Sequence, residues 1–533
     1  MTPPLCRHVP RVRRFFPLFL QQESFHHTIM MHEQAAVHAA DSFGRVTGKP
    51  AVVLAAGGAA ATNCVTGLAE AFMDSVPLLL VVTNFQPAYN HGTTGNEIDF
   101  YSMAMPITKY QYRVHRFADL PAVLSAAASL TKEGRPGPVL LDLTRMETGT
   151  ADADAFFSTP KKRAPAIAEK CLAPIVTQIK RAKKPVIIAG GGVIISGAAD
   201  IVRKTAEKAG IPVVSTLKGL DAVPADHPLF LGMIGMHGTY AANKAVHSAD
   251  LLICLGVRFN DRVTGKAKTF APKAVKIHVD IDAAELNKNV HVDFPIQADI
   301  SRLFLEVNRR LVKGDTSEWV GFVTSLHKKV PMCEKSNSIL KPQHVIRMIS
   351  DMTDRDAILT TDVGQHQIWS AHHYTFRQPR TFITSGGFGT MGFGLPAAIG
   401  AAIAAPHRQI VCVSGDGSFQ MNVQEWMTVA RYQLPIKVVI LNNGYLGMVR
   451  QWQELFYNRR YSAVKIASPH FCALAEAYGT VGLEAKTTAE AREVIQTGLS
   501  LPGPVLMEFD VKEEENVYPM IPPGSGVEAT IHS

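Results

Sequence analysis

The stretch from Val411 to Val449, VCVSGDGSFQMNVQEWMTVARYQLPIKVVILNNGYLGMV, contains two apolar runs that each end in a short polar motif. The motif Gly-Asp-Gly at 415–417 closes the first run, and Asn-Asn at 442–443 closes the second, with 24 residues between them. This pattern predicts a strand, a helix and a second strand. In such a βαβ unit both strands end at the same edge of a parallel sheet. We therefore expect the two polar motifs to bind one ligand together.

The chemistry of these motifs indicates a metal-bridged diphosphate. Asp416 offers a carboxylate, Asn443 a side-chain carbonyl and Tyr445 a backbone carbonyl, all hard oxygen donors that suit Mg²⁺. The glycines on either side of Asp416 let the backbone come close to a ligand, and the helix that begins near Ser418 directs free N–H groups at an anion. The G-x-x-x-x-G-K-[ST] pattern of a P-loop is absent from this stretch. A lone Gly-Asp-Gly is more often an ordinary turn, so the prediction depends on the joint pattern.

Length and composition exclude several classes of protein. The 533 residues imply two or three domains, and the 47% apolar and 19% charged residues are typical of a globular protein. No apolar run reaches the roughly 18 residues of a membrane span, because Gly and Pro interrupt the longest candidate, FGLPAAIGAAIAAP. The net charge of +8 suits anionic small molecules, but no basic block with interleaved aromatics indicates a nucleic-acid partner.

Cysteine spacing and the N-terminus bear on the compartment. The seven cysteines show neither a disulfide framework nor a zinc-site spacing, so a cytoplasmic location is the default expectation. Residues 1–27 form an atypical basic segment with four arginines and no acidic residue before Glu23. Its apolar part is too short for a signal peptide, and an alternative start upstream of a folded domain is the competing interpretation.

Alternating apolar and helical stretches predict three consecutive doubly wound parallel-sheet domains of the α/β class, at residues 28–154, 171–311 and 340–525. A Pro-containing stretch, STPKKRAPAIAEK, and the segment KGDTSEWVGFVTSLHKKVPMCEKSNS are interpreted as separators. The predicted strands are AVVLAA, VPLLLVVT and GPVLLDLT in the first domain, KPVIIAGGG, IPVVST, DLLICLGV and VKIHVDID in the second, and DAILTTDVG, QIVCVSGDG, IKVVILNN and GPVLMEFDV in the third.

The Gly-Asp-Gly and Asn-Asn pair at this spacing resembles the signature of thiamine-diphosphate enzymes. The resemblance covers roughly residues 28 to 525 and is strongest to the catalytic subunit of acetolactate synthase. The motifs that carry it are HEQAAVHAADSFGRVTGKP, LGMIGMHGT, GVRFNDRVTG, TTDVGQHQIW, SGGFGTMGFGLPAAIGA, LGMVRQWQELFY and VYPMIPPG. It implies a pyrimidine-binding domain, a central FAD-binding-type domain and a diphosphate-binding domain, in that order.

The resemblance also implies an activity and partners. The expected reaction is decarboxylation of pyruvate and carboligation to a second pyruvate or 2-oxobutanoate, which gives 2-acetolactate or 2-aceto-2-hydroxybutanoate for branched-chain amino acid biosynthesis. The expected cofactors are thiamine diphosphate, Mg²⁺ and FAD. Active sites at a subunit interface imply a homodimer or homotetramer, and a small regulatory subunit is a further possible partner. Neither nucleic acid nor membrane is expected.

Residue roles follow from the same resemblance. Glu33 matches the catalytic glutamate that hydrogen-bonds the aminopyrimidine ring, although a glutamate at a helix start also favours the helix dipole. Met391 matches the residue that props the cofactor into its bent shape, where core packing is the alternative. The positions matched to thiamine diphosphate are Gly364, Gln365, His366, Gly389, Met391, Gly415, Asp416, Gly417, Ser418, Asn443, Leu446, Gly447 and Met448. The metal ligands are Asp416, Asn443 and Tyr445.

The flavin and substrate positions are also implied by the resemblance. The triplet at 190–192, Gly-Gly-Gly, is by itself weak support for a nucleotide. The positions matched to FAD are Arg135, His237, Gly238, Gly256, Arg258, Arg262, Asp280 and Ile281. The positions matched to substrate are Asn96, Arg145, Arg262 and Trp452, and Trp452 matches the residue that favours 2-oxobutanoate.

Departures from the family pattern fall on the first domain. The helix, strand and Gly-Pro-Gly-type loop that precede TIMMHEQ in the family are expected to be missing, so this domain would lack its first strand. Residues 58–63 read Gly-Ala-Ala-Ala-Thr-Asn instead of Gly-Pro-Gly-Ala-Thr-Asn, residues 95–96 read Gly-Asn instead of Phe-Gln, and residues 143–145 read Leu-Thr-Arg instead of Ile-Pro-Lys. Two alternatives therefore stay open: another thiamine-diphosphate-dependent 2-oxo acid decarboxylase or carboligase, and a truncated, catalytically inactive homologue. A glyoxylate carboligase is disfavoured because that relative lacks the glutamate that Glu33 matches.

Overall fold

Three parallel sheets of six strands each follow one another along the chain in the computed structural model. The structure describes residues 4–6, 26–83, 98–147, 167–312, 314–326 and 339–532, with side chains from residue 26 onward and up to residue 143 in the strand that ends at 147. In the described part of the chain, helices lie between most successive strands of each sheet, as in doubly wound α/β domains. The predicted fold class is confirmed.

The strands are spread evenly over the three sheets. The first sheet contains β1 (Pro4–Cys6), β2 (Thr28–Ile29), β3 (Ala51–Ala56), β4 (Leu78–Thr83), β5 (Tyr110–Arg116) and β6 (Pro138–Glu147). The second contains β7 (Pro185–Ala189), β8 (Val213–Ser215), β9 (Phe230–Met233), β10 (Leu251–Leu255), β11 (Val275–Asp280) and β12 (Phe294–Gln297). The third contains β13 (Ile358–Thr361), β14 (Phe382–Thr384), β15 (Ile410–Gly415), β16 (Ile436–Asn442), β17 (Val481–Ala485) and β18 (Val505–Asp510).

The α-helices fall into the same three groups. The first domain has α1 (Glu33–Thr47), α2 (Ala59–Asn63), α3 (Val65–Met73), α4 (Phe100–Ala104) and α5 (Leu120–Leu130). The second has α6 (Glu169–Arg181), α7 (Gly191–Ile195), α8 (Ala199–Ala209), α9 (Tyr240–Ser248), α10 (Asp261–Thr264), α11 (Ile300–Arg310) and α12 (Ser317–Ser325). The third has α13 (Pro342–Met352), α14 (Gln365–His373), α15 (Gly394–Ala404), α16 (Asp416–Gln420), α17 (Trp426–Arg431), α18 (Gly447–Phe456), α19 (Phe471–Ala477) and α20 (Thr488–Ser500).

Strand order places the predicted apolar runs at the centre of each sheet. The orders are β2-β1-β3-β4-β6-β5, β12-β11-β10-β7-β8-β9 and β14-β13-β15-β16-β18-β17. All residues of β4, β7 and β10 are buried, as expected for strands covered on both faces. The edge strands β5, β12 and β17 keep several exposed residues. The centre of each sheet is thus buried, and exposed strand residues are concentrated in these edge strands.

The N-terminal segment contributes a strand to the first sheet. In β1, Leu5 pairs in parallel with Thr28 of β2 and with Val53 of β3. Part of the segment at 1–27, set apart from the domain on sequence grounds, therefore belongs to its sheet. We expected a strand to be missing from this position in the sheet. The three residues of β1 occupy it instead, because β2 and β3 present backbone groups there with which a strand can form hydrogen bonds.

The second separator also differs from the expectation, because it contains α12. Trp319 of this helix is buried, and its indole N–H donates to the carbonyl of Pro185 at 3.1 Å. The C-terminal segment returns to the same domain, where the N–H of Ile521 donates to the carbonyl of Met236 at 2.7 Å. The central domain is therefore held by residues beyond the predicted boundary at 311.

Two helices join the first and third domains. Helix α1 begins after the N-cap His32, whose ring accepts from the N–H of Gln34 at 3.1 Å, and ends at Gly48, which has a left-handed φ of 68°. It packs on α15, and a Cβ added to Gly400 would lie 1.9 Å from the carbonyl oxygen of Ala39. The two backbones can come this close only because position 400 has no side chain.

The described part of the chain has no helix that is both long and apolar enough to cross a membrane. The stretch FGLPAAIGAAIAAP instead forms α15, which has 11 residues and is almost wholly buried between domains.

Gly400→Ala should destabilise the protein because its methyl group would push α1 away from α15. We expect the free energy of unfolding to fall by about 1–3 kcal/mol, the usual cost of overpacking, measured from denaturant-induced unfolding. Gly321→Ala is the matched control: position 321 also lies in a helix, and within the described ranges no atom lies within 4 Å of the added methyl group. Equal destabilisation by both changes would contradict the close packing of α1 on α15.

Acid should destabilise the protein through His38, a fully buried residue of α1 that packs edge-on against Phe393. Burial lowers the pKa of His38 from 6.5 to about 3, with a further lowering by Arg45. Between these pH values only the unfolded chain binds the proton, so stability should fall by about 1.4 kcal/mol per pH unit as pH decreases. His38→Gln should remove this share of the slope in pH-dependent denaturation.

Candidate functional site

The two polar motifs of the opening stretch meet at one edge of the third sheet. Strands β15 and β16 are parallel neighbours, and Gly415 at the end of β15 lies beside Leu441 of β16. Asp416 and Asn443 therefore follow adjacent strand ends. The predicted βαβ unit, with both motifs at the same edge, is confirmed.

Asp416 has one carboxylate oxygen engaged and one available. It starts the short helix α16 and is 1% exposed. Its Oδ2 accepts from the hydroxyl of Ser468 at 2.9 Å, while its Oδ1 has no hydrogen-bond partner among the described residues. Burial raises the pKa of Asp416, and the hydrogen bond from Ser468 opposes this rise. A buried, unpaired carboxylate oxygen is a suitable ligand for a hard cation.

Asn443 and Tyr445 form a tight turn beside Asp416. The Oδ1 of Asn443 accepts from the N–H of Tyr445 at 3.1 Å, which leaves a second lone pair on that oxygen. The turn is held from outside, because the N–H of Leu446 donates to the carbonyl of Val464 at 2.7 Å. The segment that contains Val464 continues to Ser468. The fold thus brings Ser468 to Asp416, a contact that the local sequence pattern did not predict.

Gln365 and His366, at the start of α14, add two more buried polar atoms. Gln365 Nε2 donates to Gln451 at 2.9 Å and to the carbonyl of Glu515 at 2.8 Å, but Gln365 Oε1 has no partner within the described ranges. His366 Nε2 is likewise without a described partner, and burial lowers the pKa of this histidine to about 3. The imidazole is therefore neutral at physiological pH and has one N–H donor and one acceptor.

Glycines bring these side chains to the strand ends. A Cβ on Gly415 would lie 3.0 Å from His366 Nδ1, and a Cβ on Gly447 would lie 2.1 Å from Gln365 Oε1. Ser418 lies next to this cluster, and its hydroxyl donates to the carbonyl of Val363 at 3.1 Å. The structure thus places the ends of β13 and β15 and the start of α18 around three unpaired polar atoms, as a polar ligand requires.

A large cavity opens beside this cluster, between the three domains. Its volume is about 1150 Å³, and it is lined by residues of all three domains. Five of the residues predicted to bind cofactor or substrate in the third domain line it, namely Gly364, Gly389, Met391, Met448 and Trp452. Trp452 is half-buried and packs edge-on against Phe456 at 5.5 Å between ring centroids. The cavity is large enough for a cofactor and a small substrate.

Most of the predicted flavin positions line the same cavity. These are Arg135, His237, Gly256, Arg258, Arg262, Asp280 and Ile281. Gly238 does not line it; this glycine packs closely on the backbone of Ile234, where a Cβ at position 238 would lie 2.6 Å from the backbone carbon. Burial lowers the pKa of His237 to about 4 and raises that of Asp280 to about 6. The structure thus brings together seven of the eight residues.

The glycine triplet at 190–192 packs backbone against backbone. Gly256 has a left-handed φ of 59°, and a Cβ on it would lie 2.4 Å from the Cα of Gly192. The ends of β7 and β10 can therefore turn away from each other without side chains between them. Gly192 and Gly256 both line the cavity, so this close backbone packing forms part of the cavity wall.

Charge in the cavity favours an anionic ligand. Eight cationic side chains line it against five carboxylates. Arg135 is paired, with its guanidinium 3.2 Å from both Asp282 and Glu285, and Arg258 lies 3.7 Å from Asp74. The surplus of positive charge suits phosphate or carboxylate groups.

Glu33 lies apart from this cavity and is 1% exposed. Its carboxylate accepts from the side-chain amide of Asn63 at 2.9 Å. The turn before it is held from the third domain, where the carboxylate of Glu425 accepts from the N–H of His32 at 2.8 Å and from that of Met31 at 3.1 Å. The structure therefore fixes Glu33 without placing it in the cavity of its own chain.

Two predicted substrate residues lie outside what the structure describes. Asn96 falls in the undescribed stretch 84–97, and the side chain of Arg145 is not described, although its backbone belongs to β6. Asn63, Ser468, Gln451 and Glu425 were not predicted as site residues. Asn63 stands in the quoted motif at 58–63, whereas the other three carry no local signal because they contact the site from distant segments.

Three domain families of thiamine pyrophosphate enzymes match the chain. The N-terminal TPP binding domain matches residues 11–103, the central domain matches residues 172–307, and the C-terminal TPP binding domain matches residues 362–509. The last match contains the cluster around Asp416.

Curated relatives are similar over nearly the whole chain. The acetolactate synthase large subunit of Lactococcus lactis subsp. lactis is 44% identical over 516 residues, which cover 94% of this chain and 88% of that protein. The acetolactate synthase isozyme 2 large subunit of Escherichia coli is 40% identical over 501 residues, 94% of this chain and 91% of that protein. The probable acetolactate synthase large subunit of Methanocaldococcus jannaschii is 40% identical over 517 residues, which cover 93% of this chain and 87% of that protein.

Removal of the Ser468 hydroxyl should weaken cation binding at Asp416. Without this donor, Oδ2 loses the hydrogen bond that orients the carboxylate, and loss of such an orienting partner typically costs about 10- to 100-fold in metal affinity. We expect Ser468→Ala to weaken Mg²⁺ binding in calorimetric titrations with thiamine diphosphate present. Ser500→Ala, which removes an exposed hydroxyl bonded to Thr497, is the control. Unchanged Mg²⁺ affinity in both Ser468→Ala and Asp416→Ala would exclude this metal site.

Proposed function

The chain belongs to the family of acetolactate synthase large subunits, which are thiamine pyrophosphate enzymes, and on this premise we propose how its residues carry out the reaction. The enzyme decarboxylates pyruvate and joins the remaining two-carbon unit to a second 2-oxo acid, pyruvate or 2-oxobutanoate. The observation that carries the proposal is the cluster of unpaired Asp416 Oδ1, Gln365 Oε1 and His366 Nε2 at the edge of the cavity lined by Met391 and Trp452.

The diphosphate end of the cofactor would bind at this cluster. Asp416, Asn443 and the carbonyl of Tyr445 would hold Mg²⁺, because they present hard oxygen donors around one buried, unpaired carboxylate oxygen. A neutral His366 has an N–H to donate to a phosphate oxygen. When bound, thiamine diphosphate supplies the carbon nucleophile and the electron sink for decarboxylation. The protein binds it, orients it and keeps water away from the reacting carbon.

Met391 and Met448 line the cavity and would support the bent cofactor between the diphosphate cluster and the substrate. Trp452 follows Met448 by four residues on α18, so the two side chains lie on one face of that helix. We expect Trp452 to contact the second 2-oxo acid and Arg262 to attract its carboxylate. Asn96 and Arg145 remain proposed substrate contacts.

Glu33 would act on a cofactor bound to a second copy of the chain. It is buried and held by Asn63, yet it does not line the described cavity beside Met391. A glutamate in this position can hydrogen-bond the aminopyrimidine ring and control its proton. Exposed large apolar side chains on the first and third domains support such an assembly, namely Ile98, Met103, Met105, Tyr110, Met421 and Met427. A homodimer or homotetramer is therefore proposed, with a small regulatory subunit as a further partner.

FAD is proposed for the part of the cavity between Arg135 and Asp280. The positive surplus suits its phosphate groups, and Asp280 can accept from a ribose hydroxyl. Two pyruvates give acetolactate and CO₂ without net oxidation, so the flavin needs no redox role. We also propose a cytoplasmic location, which the free thiols Cys64, Cys171, Cys254, Cys412 and Cys472 support.

A single preparation tests the proposal. The purified chain is examined for a flavin absorption spectrum and then assayed for acetolactate after addition of thiamine diphosphate, Mg²⁺ and pyruvate. We expect bound flavin and acetolactate formation. Bound cofactors without acetolactate would refute the proposed reaction and favour a different 2-oxo acid or an inactive homologue.

Glu33→Gln should lower kcat for acetolactate formation by about 10²- to 10⁴-fold, the usual contribution of a positioned acid–base group. Glutamine keeps the shape and one hydrogen bond but cannot exchange a proton with the cofactor. Binding of thiamine diphosphate, measured by calorimetry, should change much less than kcat. Glu490→Gln in the surface capping box of α20 is the control and should leave kcat unchanged. A Glu33→Gln enzyme with wild-type kcat would overturn the assigned role.

A further inference from the structure

The loop that carries Met391, SGGFGTMGFG at residues 385–394, is anchored at both ends by buried carboxylates. At its C-terminal end, Asp362 Oδ1 accepts from the N–H of Gly392 and Oδ2 accepts from that of Gly394, both at 2.9 Å. Asp362 belongs to the same domain as the loop. Its position immediately after β13 fixes the residues that follow Met391.

The N-terminal end of the loop is held by hydrogen bonds to the hydroxyl of Ser385. Ser385 Oγ accepts from the N–H of Gly389 at 2.9 Å and from that of Thr390 at 2.8 Å. Its own proton is donated to Oε2 of Glu70, and the Thr390 hydroxyl donates to the same oxygen at 2.8 Å. Glu70 is fully buried and lies on α3, in the first domain. A carboxylate of one domain therefore fixes a loop of another.

Glu70 is held in turn by a cation. Arg45 lies 3.2 Å from its Oε1 and also pairs with Asp41 and Asp74. Burial, with the nearby charge of Asp74, raises the pKa of Glu70 to about 8, and Arg45 opposes this rise. In both hydroxyl contacts Glu70 Oε2 is the acceptor. The positive charge of Arg45 favours the ionised carboxylate of Glu70, whose two oxygens can both accept hydrogen bonds.

Packing alone does not fix this part of the loop. Gly389 has a left-handed φ of 81°, and no atom of the described residues lies within 4 Å of a Cβ built on it. Phe388 is 49% exposed. Both residues line the cavity together with Met391. The conformation before Met391 therefore depends on the hydrogen bonds to Ser385 and Glu70.

We propose that Glu70 is a positioning residue for Met391, acting through Ser385 and Thr390 from the neighbouring domain. The inference rests on the proposed function, in which Met391 supports the bent cofactor. Glu70 does not line the cavity and touches neither substrate nor cofactor in this scheme. Its contribution is to hold the loop in the shape that places Met391 at the reacting end of the cofactor.

The test uses the full chain with Glu70→Gln and Thr390→Val. Glutamine has a single acceptor oxygen and no charge, so it cannot accept from the two hydroxyls at one end and from Arg45 at the other. Valine removes the Thr390 hydroxyl at nearly constant shape. We expect kcat for acetolactate to fall by about 10- to 100-fold, as for other orienting partners, with KM for pyruvate within about twofold. Thr390→Ser, which keeps the hydroxyl, should retain most of kcat.

A second readout does not depend on activity. In hydrogen exchange measured without cofactor, the amides of Gly389 and Thr390 should exchange faster in Glu70→Gln and Thr390→Val than in the wild type. Thr205→Val, which removes a buried hydroxyl in the central domain that donates to the carbonyl of Ile201, is the matched control for both readouts. It should leave kcat and exchange in 385–394 unchanged.

The outcomes separate this inference from the proposed function. Unchanged exchange in both loop variants overturns the inference, and so does faster exchange with kcat within about twofold of the wild type. If the wild type forms no acetolactate, the proposed function fails, and exchange alone then decides whether Glu70 fixes the loop. Faster exchange together with lower kcat and nearly constant KM supports the positioning role.

Discussion

The carboxylate of Asp74 joins the three domains, and the rest of the site depends on this buried charge. Arg45 of the first domain and Lys218 of the second each lie 2.9 Å from its Oδ2, and the N–H of Gly386 in the third domain donates to it at 3.2 Å. Arg45 and Lys218 also donate to the carbonyl of Thr384, at 2.9 and 3.0 Å. A buried carboxylate without these partners would cost several kcal/mol, so the charge is tolerated only when the three domains are in contact. The same contacts form one side of the cavity, which therefore exists only in the assembled chain.

Carboxylates also form hydrogen bonds to backbone N–H groups across two other contacts between domains. Asp221 of the central domain accepts from the N–H of Thr381 at 2.9 Å and from that of Phe382 at 3.1 Å in the third. Glu425 of the third domain accepts from backbone N–H groups just before Glu33 in the first. In each case one domain supplies an acceptor to backbone donors of another, and such donors have fixed directions. Apolar contacts between helices such as α1 and α15 bring the domains together. These hydrogen bonds determine the position of the loops that carry site residues.

The sequence predicted the buried centre of each sheet well and its edges poorly. Central strands such as β4 and β10 are continuous apolar runs because helices cover both faces, and such runs are visible without an alignment. Edge strands such as β5, YQYRVHR, mix polar and apolar residues because one side faces solvent, so their sequence lacks that signal. The same reasoning applies to the site. Asp416 and Asn443 follow central strands and could be predicted, whereas Ser468 is separated from Asp416 by 52 residues and reaches it only through the fold.

The departures from the family pattern around residues 58–61 change the residues of the turn before α2 but leave the hydrogen bonds that hold Glu33 in place. Gly58 keeps a left-handed φ of 70°, and α2 begins directly after it with alanines that can form a helix. The helix still delivers Asn63 to the Glu33 carboxylate at 2.9 Å. The other support of this turn, Glu425, comes from a different domain and does not depend on residues 58–61. Glu33 is therefore held from two independent directions, so a change in the loop before α2 leaves one of its two supports intact.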